Sequence, residues 1–144
     1  KVMSDAPGWK VGYDLKNENQ TMQMVARVKI DNIIAHDADD ILVAFGDAQE
    51  VLGVTHLDVD DTANAYEALA YMIIYGHVNQ STKLSFGFYN ASNGKIYKLE
   101  PEDGKTYSFE RNAVVGTAEN PVVLVNSFDE VTTLDLAIGW NWVS

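Results

Sequence analysis

The sequence predicts an all-β fold, an antiparallel β-sandwich of immunoglobulin-like or jelly-roll type with about nine strands. The first observation is an alternation of apolar and polar residues, clearest between Met22 and Ile30, which places one apolar face of a strand on a core. The second is that turn sequences recur about every ten residues, a spacing typical of sandwiches and barrels. The third is that strand patterns do not alternate with helix patterns, as they would around a parallel sheet.

Strand patterns follow one another along most of the chain. The first long strand is predicted at Met22–Ile30, after an entering strand that carries Trp9, Val11 and Tyr13. Further strands are predicted at residues 41–45, 51–59, 66–75, 84–89, 96–99, 107–109, 122–125 and 131–138. The sequence Asn93-Gly94 predicts a hairpin turn, because glycine accepts the positive φ of tight turns. Asp103-Gly104 predicts a second turn in the same way. The apolar faces of the central strands predict a core that contains Phe45, Val54, Met72, Phe86 and Phe88.

One segment, residues 62–74, fits two structures. Its alanines at 63, 65, 68 and 70 favour a helix. The alternation from Tyr66 to Ile74 favours a strand instead, and Gly76 closes it. We predict a loop as far as residue 65 and a strand at 66–75, with no helix longer than about two turns in the chain.

Composition excludes several kinds of partner. The 144 residues include 47% hydrophobic residues, which fits one folded domain. There are 10 Lys+Arg and 21 Asp+Glu, a formal net charge of −11, which argues against nucleic acid and against anionic membrane surfaces. No apolar run approaches the roughly 18 residues of a membrane span, so no membrane insertion is expected.

The absence of cysteine excludes disulfides, thiolate metal sites and cysteine nucleophiles.

Several short motifs together resemble a known family. They are Asp39-Asp40 leading to Ala44-Phe45, Gly53-Val54, Tyr75-Gly76, Phe86 to Ala91, Gly94 to Tyr97, and the closing segment Gly139 to Ser144. Their order resembles a β-sandwich module repeated in large exported surface proteins of Bacteroidetes-type bacteria. The likeness covers residues 20–124 and the C-terminal end. The sequence departs from the family at Leu52, where the family often has arginine.

The resemblance implies a location and a role. It implies an exported protein, extracellular or at the cell surface, and a non-catalytic accessory module with a structural or adhesive role. The implied partners are neighbouring modules of the same polypeptide, or a surface protein or glycan. We interpret residues 1–144 as one domain cut from a longer protein. Residues 125–144 are then either its closing strand or the start of a following module, and we expect 131–144 to belong to the folded unit.

Aromatic residues give the alternative function, a carbohydrate-binding module. Trp140 and Trp142 are two residues apart, so on a strand they share one face. Together with Trp9 they are the candidate ligand-binding residues, since flat aromatic rings stack on sugars. The competing interpretation is that all three pack in the core or at its rim.

Acidic clusters give the candidate metal ligands. Asp37, Asp39 and Asp40 form one group, and Asp58, Asp60 and Asp61 form another. Calcium prefers such oxygen ligands, so Asp37, Asp39, Asp58 and Asp60 are the candidates. The order of ligands is not that of an EF-hand, and a solvated loop also explains both groups. We therefore expect no cofactor and weak or no dependence on calcium.

Catalytic chemistry has weaker support. Two carboxylates at the right separation act as a glycosidase pair, which makes a hydrolase the third hypothesis. Acidic loops are so common in this sequence that they give this hypothesis little support. His36, His56 and His77 lie on different predicted elements, whereas zinc sites commonly have two histidines close together on one element. We expect the protein not to be an enzyme.

Overall fold

The computed structural model describes residues 7–59, 68–77 and 81–126. The strand predicted at 131–138 and the first residues of the strand predicted at 66–75 lie outside this range. The described elements are α1 (Tyr13–Glu18), β1 (Gln20–Ile30), β2 (Ile33–Ile34), β3 (Ile41–Phe45), β4 (Val51–His56), β5 (Ala70–Gly76), β6 (Ser85–Asn90), β7 (Lys95–Pro101), β8 (Val114–Val115) and β9 (Val122–Asn126). The all-β prediction is confirmed.

The nine described strands form one mixed sheet in the order β2-β1-β9-β7-β6-β3-β4, with β5 and β8 also paired to β1. β1 is long enough to have two partners on each edge. One edge pairs antiparallel with β5 and then β2, and the other pairs parallel with β8 and β9. The purely antiparallel prediction is therefore wrong at β1. Alternation of residues shows which face is buried but carries no information about strand direction.

The sheet curls until β4 and β5 meet. Just beyond β4, the backbone N–H of Asp58 donates to the carbonyl of Leu69 at 2.7 Å, and the reverse bond is 3.2 Å. A Cβ added at Gly53 of β4 would lie 2.7 Å from the carbonyl oxygen of Ile73 of β5. Glycine at this position therefore allows the two backbones to approach closely. The curl encloses the apolar core.

The core lies on the inner face of the curled sheet. Its largest fully buried side chains are those of Phe88, Met22, Met24, Leu42, Leu52, Met72, Ile74, Leu124 and Val28. Of the predicted core residues, Phe45, Met72, Phe86 and Phe88 are buried as expected.

Val54 is half-buried, so its prediction as a core residue is wrong. A bulge opposite Ala44 and Phe45 adds one residue to β4, and Val54 pairs with Val43. Val43 is on the face opposite Leu42 and Ala44, which belong to the main core cluster. Leu52, next to the bulge, supplies the buried side chain of β4 instead.

Two local predictions differ from the structure, and two short strands were not predicted. The entering strand at Trp9 to Tyr13 is not formed. Tyr13 instead starts α1, which buries Leu15 and ends at Glu18, and Asn19 caps it with a φ of 57°. The predicted strand at 107–109 makes one isolated bridge, between Lys83 and Ser108. The short strands β2 and β8 were not predicted, because two residues are too few for a periodic pattern.

Candidate functional site

A polar groove of about 390 Å³ lies where three connections meet at one end of the sheet. The β1–β2 turn, the β2–β3 loop and the β6–β7 turn form its walls. Its lining residues are Ile30, Asp31, Ile33, Ile34, Ala35, His36, Asp37, Asp40, Asn90, Ser92, Asn93 and Tyr97. We call this cavity the acidic groove, since three aspartates line it.

Asp40 is the buried carboxyl of the acidic groove, with 3% of the residue exposed. It stands immediately before β3, and its Oδ1 accepts a hydrogen bond of 2.8 Å from the backbone N–H of Ala91. Burial raises the pKa of Asp40 to about 6, because the carboxylate loses water. The charges of Asp37 and Asp39 raise this pKa further, while the Ala91 N–H and His36 oppose the rise. Asp40 thereby links the start of β3 to the β6–β7 turn.

The β6–β7 turn is held by its own side chains. Asn90 Oδ1 accepts from the backbone N–H and the hydroxyl of Ser92, at 3.0 and 2.7 Å. Asn93 Oδ1 accepts from the N–H of Lys95 at 2.9 Å. Gly94 has a φ of 72°, and its N–H donates to the carbonyl of Asn90 at 2.8 Å. The predicted hairpin turn is confirmed, and its polar atoms are fixed along one wall.

Tyr97 joins this wall to the core. It is half-buried and its ring packs against the core cluster. Its hydroxyl accepts a hydrogen bond of 3.2 Å from the Asn93 amide. A tyrosine with an apolar body and a polar end at a groove is well suited to contact a ligand.

The β2–β3 loop forms the acidic wall. Asp37 Oδ1 accepts from the backbone N–H of Asp39, and the Asp37 carbonyl accepts from the N–H of Asp40, both at 2.9 Å. This is a turn closed by an aspartate side chain, which fixes the loop. His36 follows β2 and its Nδ1 lies 3.0 Å from the carbonyl of Ile34, the geometry of a donated hydrogen bond.

The β1–β2 turn completes the groove, and sequence reasoning missed it. Asp31 and Asn32 have φ values of 54° and 69°, as both central residues of a type I′ turn require. Asn126, at the end of β9, forms two hydrogen bonds with Asp31, of 2.9 and 3.0 Å. The signal was present, because Asp and Asn tolerate positive φ better than other non-glycine residues.

The predicted metal ligands lie in different places. Asp37 and Asp39 share the exposed β2–β3 loop, while Asp58 follows β4 beside Leu69. Asp60 lies outside the described residues. Within the described residues, no three His, Cys, Asp or Glu side chains are grouped to hold a metal ion. Calcium binding stays a prediction to be tested.

Trp9 is the one predicted aromatic ligand residue that the structure describes. It is half-buried, and its ring meets that of Phe45 edge to face, with centroids 6.0 Å apart and an angle of 84°. Trp9 therefore packs against β3 and is not among the residues that line the acidic groove. Trp140 and Trp142 lie outside the described residues, and their role stays a prediction.

The three histidines have different hydrogen-bond partners. His36 lines the acidic groove, whereas His56 Nδ1 lies 3.1 Å from the carbonyl of Ala38. His77 Nδ1 lies 2.8 Å from Glu18 Oε2, beside α1. Each histidine thus has its own local partner.

The acidic groove offers both hydrogen-bond donors and acceptors. The carboxylates of Asp31, Asp37 and Asp40 accept when ionised, while amide and hydroxyl groups of the turn both donate and accept. A ligand rich in hydroxyl groups matches such a mixed set, because a hydroxyl also does both.

Searches against protein-family models, curated proteins and solved structures found no match. Among the residues that the structure describes, no helix has the length and apolar character needed to cross a membrane.

Proposed function

We propose that the chain is a non-catalytic accessory module of a larger exported surface protein, extracellular or at the cell surface, with a structural or adhesive role. Its partners are neighbouring modules of the same polypeptide, or a surface protein or glycan. The sequence motifs that resemble a repeated surface module support this role. The proposal includes a β-sandwich of immunoglobulin-like or jelly-roll type, which the curl of the sheet around a buried apolar core supports.

The acidic groove is the observation that carries the adhesive role. Three connections with different positions in the sequence meet there. The side chains of Asp37, Asp40 and Asn90 accept hydrogen bonds that fix two of them. Two hydrogen bonds between Asp31 and Asn126 fix the third. Rigid turns on a β scaffold are a common way to present binding residues. A preformed groove also loses less conformational entropy when a partner binds.

The geometry of Asp40 favours a non-catalytic role. A general acid must reach the atom that it protonates. Asp40 is 3% exposed, and one of its oxygens is engaged by the Ala91 N–H. The perturbed pKa of this carboxyl is therefore explained by its structural role under the β6–β7 turn.

Carbohydrate binding is the second candidate function, and the wall of the acidic groove favours it. The Asn93 amide and the Tyr97 hydroxyl are 3.2 Å apart there, beside Asn90 and Ser92. Planar amides and a tyrosine ring are groups that bind sugar hydroxyls and sugar faces.

A glycan array tests the two candidates. We expect groove-dependent glycan binding to be lost in Tyr97→Ala. Tyr13→Ala is the matched control, since Tyr13 is 77% exposed and lies outside the groove. Equal loss in both variants would contradict a groove site. Release of new reducing ends from any bound glycan would contradict the non-catalytic role.

Protease treatment of intact cells that make the parent protein tests the location. We expect peptides of this chain to be released while a cytoplasmic marker stays intact. Release of these peptides only after cell lysis would contradict surface exposure.

A further inference from the structure

The outer surface of the sheet carries an apolar patch. It lies on strands whose intervening residues are buried. We define the outer apolar face as Val25, Tyr71, Ile73, Val114, Val123 and Val125. Tyr71, Ile73 and Val114 are exposed at 49, 52 and 66%, and the three other valines are half-buried.

Strand pairing makes this patch continuous. Tyr71 is paired with Val25, and Ile73 is paired with Gln23, which is paired with Val114 on its other side. Paired residues on neighbouring strands point to the same face.

Val123 and Val125 of β9 extend the patch, because they pair with Arg27 and Lys29 of β1. An apolar surface of this kind is a docking surface or an aggregation hazard.

We propose that residues 127–144 of the same chain cover the outer apolar face. β9 ends at Asn126, directly after Val125, whose side chain belongs to this face. The chain therefore leaves the described structure at the edge of the patch, which favours this segment over a separate molecule.

The length of the segment is sufficient. From Lys29 to Gln23 along β1 is about 20 Å at roughly 3.3 Å per residue. The 18 residues from 127 to 144 can extend about 60 Å, since an extended chain spans at most ~3.3–3.6 Å per residue. They can turn after β9 and run back across the whole patch.

The composition of the segment is also complementary. Apolar residues recur at every second position, at Leu134, Leu136, Ile138, Trp140 and Trp142, the pattern of a segment with one apolar face. The outer surface beside the patch is mixed in charge, because Lys29 is paired with Glu102 at 2.9 Å and Glu100 lies opposite Val125. It is therefore the apolar alternation of the segment that matches the patch.

Hydrogen–deuterium exchange of the full chain, followed by mass spectrometry, tests the proposal. We expect amides of residues 127–144 to exchange at least tenfold more slowly than in an unstructured peptide of the same sequence. Ile73→Asp and Val114→Asp place a charge in the patch and should each remove this protection. Ile33→Asp is the matched control, because Ile33 is 67% exposed and lies off the outer apolar face, and it should leave the protection intact.

The amides of β1 report in the same experiment whether each variant is folded. If 127–144 exchange freely in the unaltered chain, the proposal is overturned. Protection that survives both Ile73→Asp and Val114→Asp while β1 stays protected also overturns it. Protection that appears only at concentrations where sedimentation shows a dimer would assign the patch to a second copy and overturn it as well.

Discussion

The apolar core and the acidic groove are assembled in different ways. The core takes every second residue of long strands, as in β1, where Met22, Met24 and Val28 are buried. The groove takes its residues from three separate connections, and its central hydrogen bond joins Asp40 to Ala91, 51 residues apart. Local periodicity therefore indicates most of the core, apart from the bulged strand β4, whereas the groove exists only once the topology is formed.

Removing a core side chain should have the largest effect on stability. Phe86 is 3% exposed within the core, and Phe86→Ala should lower the free energy of unfolding by about 3–5 kcal/mol, as for other buried phenylalanines. Denaturant unfolding measures the change. Ser92→Ala, at an exposed position of the groove, should change stability by less than about 0.5 kcal/mol. Equal losses in the free energy of unfolding for Phe86→Ala and Ser92→Ala would contradict this difference between core and groove.

Asp40 should make stability depend on pH. Its pKa is raised from 3.8 to about 6 in the folded protein, so the folded state binds a proton that the unfolded state releases between these values. This contribution to stability is complete below about pH 4 and is lost as the pH rises through 6. A shift of about two units corresponds to about 3 kcal/mol.

Asp40→Asn tests this contribution, because asparagine keeps an acceptor for Ala91 N–H but has no charge. We expect the variant to be more stable than the unaltered chain at pH 7, with the difference shrinking towards pH 4. Comparing the two proteins at each pH cancels the titration of all other carboxyls. If Asp40→Asn were less stable than the unaltered chain by the same amount at pH 7 and at pH 4, the carboxyl of Asp40 would not make stability depend on pH.

Disturbing the close approach of β4 and β5 at Gly53 should cause the next largest loss of stability. Gly53→Ala places a Cβ 2.7 Å from the carbonyl oxygen of Ile73, and such overpacking costs about 1–3 kcal/mol. Gly12→Ala is the matched control, since a Cβ there has no neighbour within 4 Å. Thermal unfolding compares the two. A Gly53→Ala variant as stable as Gly12→Ala would mean that β4 and β5 do not meet closely.

Removal of divalent metal should have the smallest effect. Asp37 uses its carboxylate to close its own loop, so chelator should change the melting temperature by less than about 5 °C, a shift of roughly 1–2 kcal/mol. A larger decrease, restored by calcium, would establish a metal site, and Asp37, Asp39, Asp58 and Asp60 would be the first ligands to replace.

The sequence predicts those parts of the molecule that have a local signal. Alternation located β1, and Asn93-Gly94 located the β6–β7 turn. The parallel pairing of β1 with β9 has no such signal, because it joins residues nearly a hundred positions apart. In the candidate site, the acidic cluster was visible, but Asp37, Asp39 and Asp40 look equivalent in sequence. Only the burial of Asp40 under Ala91 distinguishes it.

A titration of the ¹⁵N-labelled chain, with glycans selected by the array, tests most directly whether the acidic groove is the contact surface. Heteronuclear NMR follows each backbone amide. We expect chemical-shift changes concentrated at the amides of Ala91, Ser92 and Lys95, because these amides donate the hydrogen bonds of the groove. The amides of β5 should not move. Shifts confined to Tyr71 and Ile73, or an array without any bound glycan, would contradict glycan contact at the groove.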